Sequence, residues 1–355
     1  MFLVEISAPG GPEQLALREA PDLRPGPGEV LLQVAAAGVN NADVLQRQGL
    51  YPPPAGAPAW PGLEVSGRVV ALGPGVDDDA VAGTGAGTGA RNGAVSGATA
   101  ATDDDAPWRP RVGDEVVALL DGGGYADQVV VRAEQVLPVP DGLDLVGAAA
   151  LPEAACTVWS TLTAARLSPG EWLLVHGGSG GVGSFAVQYG AAVGASVVTT
   201  AGGPERAERC RTLGADVVVD HRTEDFVEAV RAATDGRGVD VVLDVVGAAY
   251  LDRNLRSLAT GGRLAVIGMQ RGRRGELDLG LLLARRATVL GTTLRSRPPA
   301  EKAAIVAGVA RDVWPLVASG AIRPVVHERV PLADAARAHE ALASGDVFGK
   351  VLLVP

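Results

Sequence analysis

Residues 172–183 read Trp-Leu-Leu-Val-His-Gly-Gly-Ser-Gly-Gly-Val-Gly, and this stretch decides the fold. Trp172–His176 is a short apolar run of the kind that forms a buried strand, and Val182–Val193 continues with helical spacing. Between them Gly178-Ser179-Gly180-Gly181-Val182-Gly183 satisfies G-x-G-x-x-G. In a chain with 48 glycines the pattern alone says little. Its place, after a strand and opening a helix, gives it meaning. Gly178 permits a tight turn, Gly180 lets the backbone approach a pyrophosphate, and Gly183 lets helix and strand pack closely. The free N–H groups and the positive helix end then receive the phosphates of a dinucleotide. The competing reading is a glycine-rich turn without a ligand, which the surrounding βαβ frame disfavours.

Working outward, Ser196–Thr200 reads as a second strand and Pro204–Leu213 as a helix with proline at its start. Val217–Val219, Val239–Val246, Arg263–Ile267 and Ala287–Thr292 read as further strands with helical stretches between them. This alternation predicts an α/β protein with a doubly wound parallel sheet of the Rossmann type. Upstream, Val30–Val34, Glu64–Leu72, Glu115–Leu120 and Ala126–Val131 predict a β-rich unit. Downstream, Lys302–Ser319 reads as one helix. Lys350–Val354 reads as a last strand that rejoins the first unit. Residues 77–110 hold much Gly, Ala, Ser and Thr and almost no large apolar side chain. Such a stretch buries too little surface to offset its ordering entropy, so a flexible insertion at a hairpin tip is expected, with a lid as the alternative.

Bulk properties bound the function. A chain of 355 residues is a natural size for two domains, and 47% hydrophobic with 20% charged residues is a globular balance. The net charge of −10 makes nucleic acid a poor partner. Cys156 and Cys210 stand far apart in no metal-ligand spacing. No apolar run reads as a membrane span, and the opening residues do not read as a signal peptide, so a cytoplasmic protein without a membrane partner is expected.

The end of the second strand reads Thr199-Thr200-Ala201-Gly202-Gly203, with no carboxylate to grip a ribose 2′-hydroxyl. Arg206 follows in the first turn of the next helix. A missing acid beside a guanidinium suits a 2′-phosphate, so NADPH is the expected cofactor and Gly202 and Arg206 its expected contacts. Glu205 argues mildly for NADH.

At this point the sequence resembles the zinc-independent quinone oxidoreductase branch of the medium-chain dehydrogenase/reductase family, the zeta-crystallin-like branch, and within it the tumour-suppressor-inducible type. Gly38-Val39-Asn40-Asn41-Ala42-Asp43-Val44-Leu45-Gln46-Arg47-Gln48-Gly49-Leu50-Tyr51-Pro52 carries the likeness. So do Leu119–Ala126, the glycine loop, Leu294-Arg295-Ser296-Arg297 and Phe348-Gly349-Lys350-Val351. The resemblance implies a groES-like catalytic domain (1–152 and 295–355) around a Rossmann domain (153–294), with the active site between them. It implies NADPH as hydride donor, a quinone as acceptor, and a homodimer. It places Asn40 and Tyr51 at the acceptor, with Asn40 donating a hydrogen bond to the reacting oxygen. It places Thr157, Ile267, Gly268 and Met269 beside the nicotinamide, Val246 on the cofactor, and Leu294 and Ser296 at the cleft border. His221 stands where relatives often carry Tyr near the 2′-phosphate. Zinc relatives have a Gly-His-Glu segment where this chain has Gly62-Leu63-Glu64, and a catalytic zinc needs three good protein ligands. Two alternatives stay open: an enoyl or alkenal reductase of the same fold, and a non-catalytic NADPH-binding structural or regulatory protein. His176, His327 and His339 read as structural or surface residues, and Lys350 is left unassigned between a phosphate contact and an ion pair.

Overall fold

The computed structural model describes residues 1–76 and 108–355. The expected insertion at 77–110 lies outside the described residues except for Trp108, Arg109 and Pro110.

One sheet has six strands, all parallel, in the spatial order Val217–Asp220, Ser196–Ala201, Trp172–Val175, Val239–Asp244, Leu258–Val266, Thr288–Gly291. Numbered along the chain this is 3-2-1-4-5-6, the doubly wound order. Its strands are apolar runs because helices cover both faces. Leu173, Val175, Val197, Val241 and Leu243 point into one core, while Leu174, Val198, Val219 and Val242 point into the other. That alternation is the two-residue period of a strand.

The second sheet runs in the order Val326–Pro331, Lys350–Val354, Glu29–Gly38, Glu64–Leu72, Glu115–Leu119, Val136–Pro138, and Gln128–Arg132 pairs with Glu29–Gly38 as well. The strand Lys350–Val354 lies parallel to Val326–Pro331 and antiparallel to Glu29–Gly38, so the chain does return to its first unit. A separate core fills this unit, built around Val30, Leu32, Val65, Val129, Val351 and Leu353.

One expectation needs correction. The helix expected at Lys302–Ser319 is two, Pro299–Asp312 and Trp314–Ala318, broken at Val313. Pro315 causes the break: it has no N–H to continue the ladder and its ring collides with the preceding turn. Leu145–Ala164 is long and apolar enough to cross a bilayer by length and composition alone, but 67% of its apolar 18-residue window is buried inside the protein. It is two core helices, Leu145–Ala148 and Pro152–Ala164. The second packs on Gly181–Ala192 and Pro299–Asp312, at the seam between the two sheets.

Candidate active site

The loops after the parallel strands open at one edge of the six-stranded sheet, where ligands bind in this architecture. A methyl on Gly178 would stand 2.2 Å from Thr199 Oγ1, and one on Gly183 would stand 2.0 Å from the carbonyl oxygen of Gly177. Neither position accepts a side chain. A methyl on Gly180 would meet nothing nearer than 3.5 Å, so this face of the loop is open. The helix Gly181–Ala192 that follows has no side-chain cap, leaving its first N–H groups for a ligand. Ser179, Gly181 and Val182 complete the turn. His176 anchors it from behind: Nε2 lies 2.7 Å from Asn254 Oδ1, and Thr200 Oγ1 accepts from the Gly177 N–H at 3.0 Å. Burial against Phe226 and Tyr250 pulls the His176 pKa down to about 4, so the ring is a neutral structural element.

At the end of the second strand the structure brings Gly202 together with His221 and Arg222. A methyl on Gly202 would meet Arg222 Nε at 3.0 Å and His221 Nε2 at 3.2 Å. Arg206 is occupied otherwise: Nη2 donates to the Gly345 carbonyl at 2.6 Å and to Asp346 Oδ1 at 3.3 Å. Arg222, which the sequence reading missed, is the guanidinium that stands over the Gly202–Gly203 turn. The signal was its place directly after His221, at the end of the neighbouring strand.

Further along the same edge, Asp244 accepts the N–H groups of Val246 and Gly247 and shapes that turn. Gly268 lies so close to Val245 that a methyl would sit 2.7 Å from its carbonyl oxygen. Ile267 is half-buried beside it and Met269 is exposed. Leu294 is buried in the core, while Ser296 is exposed and bonded to Thr293. Thr157 lies one turn along the helix from Glu153 and reaches its carboxylate at 3.5 Å.

Asn40 meets this edge through Lys350. The Lys350 ammonium donates to Asn40 Oδ1 at 2.7 Å and pairs with Glu64 Oε1. Its stem crosses the start of the Gly181–Ala192 helix, where a methyl on Gly181 would strike it at 2.3 Å, and Gly349 N–H donates to Ser179 O at 2.8 Å. Lys350 is thus an ion-pair residue that seats the glycine loop on the other unit. Asn40 Nδ2 donates to Glu64 Oε1 at 2.9 Å, and Glu64 Oε2 accepts the Glu153 N–H at 2.9 Å. This bears on Asn40 as a donor to a reacting oxygen: its amide is held on both sides. Burial and the neighbouring Glu64 charge push the half-buried Glu153 carboxyl up to about 8, which keeps it largely protonated at neutral pH.

Tyr51 is half-buried, and among the described residues its hydroxyl has no hydrogen-bond partner. The Arg295 guanidinium lies 5.4 Å from the centre of its ring. Beneath the site, Asp43 accepts from the N–H groups of Asn40 and Gly62. Tyr125 OH lies 2.9 Å from His339 Nε2, and Arg47 Nη1 lies 3.3 Å from His339 Nδ1. His339 is a buried member of that network, and burial lowers its pKa to about 3.

Comparison with known proteins gives the family. Residues 26–141 match the alcohol dehydrogenase GroES-like domain family, and residues 181–308 match the zinc-binding dehydrogenase family. A quinone oxidoreductase of Pseudomonas aeruginosa is 32% identical, covering 99% of both chains. This chain belongs to the quinone oxidoreductases of the medium-chain dehydrogenase/reductase family. Another quinone oxidoreductase, from Escherichia coli and solved in complex with NADPH, superposes with a TM-score of 0.81 at 29% identity over 100% of both chains. The phthioceranic/hydroxyphthioceranic acid synthase of Mycobacterium tuberculosis is 34% identical over 99% of this chain, and the chain spans 15% of that protein's length.

The zinc in one matched family's description does not suit the residues of this chain. Leu63 is buried apolar where a ligand would be needed, and an ammonium already occupies the space between Asn40 and Glu64. Among the described residues no three of His, Cys, Asp and Glu converge on one point.

Proposed function

We propose that this chain reduces quinones with NADPH, by hydride transfer without a metal. The observation that carries the reading is the uncapped helix behind the glycine loop, joined through Lys350 to Asn40 and Glu64. The open face at Gly180 fits a pyrophosphate. The Gly202–Gly203 turn, with no carboxylate at the end of its own strand and with Arg222 and His221 above it, fits a 2′-phosphate, while the Asp220 carboxylate accepts the backbone N–H groups of Gly203 and Arg222 and shapes the turn. NADPH supplies the hydride when bound. The protein's own part is to hold the two reactants in register, to exclude water, and to offer Tyr51 to the acceptor's oxygen. Residues 153–294 would serve as the dinucleotide-binding unit and 1–152 with 295–355 as the catalytic unit. Thr157, Val246, Ile267, Gly268, Met269, Leu294 and Ser296 would line the nicotinamide end.

The test is NADPH consumption against 1,4-naphthoquinone and a 2-enoyl thioester, with and without a chelator. Rapid, chelator-insensitive turnover of the quinone is expected, and consumption with the thioester alone would replace this reading with the second one. That second reading, reduction of a conjugated C=C bond, draws on the match to a segment of an acid-building synthase.

Arg222→Glu is expected to raise the NADPH dissociation constant about 30- to 100-fold and to leave that of NADH within threefold, since it replaces a charge-assisted phosphate contact by repulsion. Arg206→Glu is expected to do less, because its guanidinium is held by Gly345 and Asp346. Titration of both cofactors by fluorescence decides it; equal weakening of the two would dismiss the 2′-phosphate site.

We read the protein as a cytoplasmic homodimer. Thr288–Gly291 is an edge strand with one neighbour, and Leu279 and Leu283 beside it are 62% and 76% exposed. An unblunted edge next to exposed leucines is a pairing surface. Light scattering should give twice the 36.0 kDa chain mass, and Leu283→Glu should halve it. A wild-type monomer at micromolar concentration would contradict the dimer.

A further inference from the structure

Arg295 is 4% exposed, and its side chain is tied at two points. Nε donates to the Asp121 carbonyl at 2.7 Å, and Nη2 donates to Gln46 Oε1 at 2.8 Å. Gln46 is itself fixed to the Ala59 carbonyl at 2.8 Å, and the Asp121 carboxylate is held by the buried Lys302. The third nitrogen, Nη1, is enclosed and meets no acceptor. A buried guanidinium arm with no acceptor is costly unless something else offsets its charge. The aromatic group beside it is Tyr51, 5.4 Å from Cζ to ring centre, within cation–π range. The Tyr51 hydroxyl, in turn, has no protein partner among the described residues, and Asn40 is already engaged on both sides of its amide.

We propose that Arg295 is a positioning residue for Tyr51: its clamped guanidinium fixes the ring at the cleft and strengthens the phenol as hydrogen-bond and proton donor to the acceptor's oxygen. This rests on the reading of Tyr51 as an acceptor-site residue. The quinone gains a hydride, which carries both electrons, and a proton, and NADPH becomes NADP⁺. Negative charge builds on the quinone oxygen. The phenol O–H bond breaks as a new O–H bond forms there, giving the hydroquinone, and solvent returns a proton to the Tyr51 phenolate. A cation under the ring favours the phenolate by coulombic attraction. The titratable groups that face this pair are Glu153, from the helix Pro152–Ala164, and Asp43 and Asp121, both acting on Arg295. Burial of Tyr51 and the Glu153 carboxyl raise the phenol's pKa, and Arg295 opposes both. Arg295 is bound in place rather than free to follow the ring, so the geometry holds during a turnover.

The test combines a titration with a double-mutant cycle. Protein labelled with 3-fluorotyrosine reports the Tyr51 ionisation by fluorine NMR, the signal being assigned by its loss in Tyr51→Phe. Arg295→Gln should move that transition up by about one to two pH units, and Arg295→Lys should restore part of the shift. In steady state Arg295→Gln should lower kcat about tenfold or more, with the NADPH dissociation constant within threefold. In a Tyr51→Phe background it should lower kcat no further, because the group through which it acts is gone. An unmoved Tyr51 transition, or an equal loss of kcat in both backgrounds, overturns the proposal. Should Arg295→Gln fail to fold, ring-current shifts of the Arg295 guanidinium signals decide instead: they should be present in the wild type and in Tyr51→Phe and absent in Tyr51→Leu. Their absence from the wild type overturns the proposal. The titration reads the Arg295–Tyr51 pair without turnover, so a protein that reduces no quinone but shows the shift refutes the proposed activity and not this pairing.

Discussion

Lys350→Met is expected to cost about 3–5 kcal/mol of stability, the usual price of breaking one partner from a buried ion pair. The ammonium is 4% exposed and Glu64 is 0% exposed, so removing the cation leaves a carboxylate with no route to water. Glu64 would keep the N–H of Glu153 and the amide of Asn40, and both fall short of a full counter-charge. Asn40 would lose the donor that fixes Oδ1. The contact between the lysine stem and Gly181 would be retained in part by methionine, which isolates the charge. The double variant Lys350→Met with Glu64→Gln should recover more than half of the loss, since an amide in place of the carboxylate removes the stranded charge. Urea unfolding of the four proteins provides the cycle. A single variant within 1 kcal/mol of wild type would show that the pair does not anchor the glycine loop.

The second large effect is at the glycine loop, where two neighbouring substitutions should part company. Gly183→Ala puts a methyl 2.0 Å from a backbone oxygen and 2.7 Å from its carbon, atoms that no rotamer change can move. The helix must shift off the strand, so both stability and NADPH binding should fall, the first by about 1–3 kcal/mol and the second by about 100-fold or more. Gly180→Ala puts its methyl into open space, 3.5 Å from the nearest atom. It should melt within 2–3 °C of wild type, a shift that corresponds to less than about 1 kcal/mol. It should nevertheless bind NADPH tenfold or more weakly, because the methyl occupies the approach to the pyrophosphate. Calorimetric titration and thermal melts of both variants settle the matter. Unchanged NADPH affinity in Gly180→Ala would remove the phosphates from this loop.

The parallel sheet was legible because its strands are buried on both faces and its helices carry their own punctuation, with proline at 204 and glycine through 177–183. Periodicity and turn chemistry are local signals. The break at Val313 was equally local, and Pro315 announced it. What the sequence could not give was the partnership of distant side chains. Lys350 and Asn40 are separated by 310 positions, and Arg295 and Gln46 by 249. Nothing in either segment fixes a pairing across that interval. Arg206 stood out because it follows the second strand, yet its guanidinium is captured by Gly345 and Asp346. Arg222 sits on the adjacent strand's end, and only the 3-2-1 ordering of the sheet brings it over Gly202.

The placing of Lys350–Val354 between Val326–Pro331 and Glu29–Gly38 has a consequence for the order of events during synthesis. The six-stranded parallel sheet uses only residues 172–291 and is complete once that stretch has left the ribosome. The other sheet, begun first, waits for an interior strand made after the parallel sheet. Until then Glu29–Gly38 lacks the partner at one side, and Asn40 has neither Lys350 nor a finished pocket. Pairing over such an interval closes slowly and leaves a sticky margin exposed meanwhile. The nascent chain therefore closes its parallel sheet before its mixed one, and the contacts of Asn40 with Lys350 form after both sheets have been made.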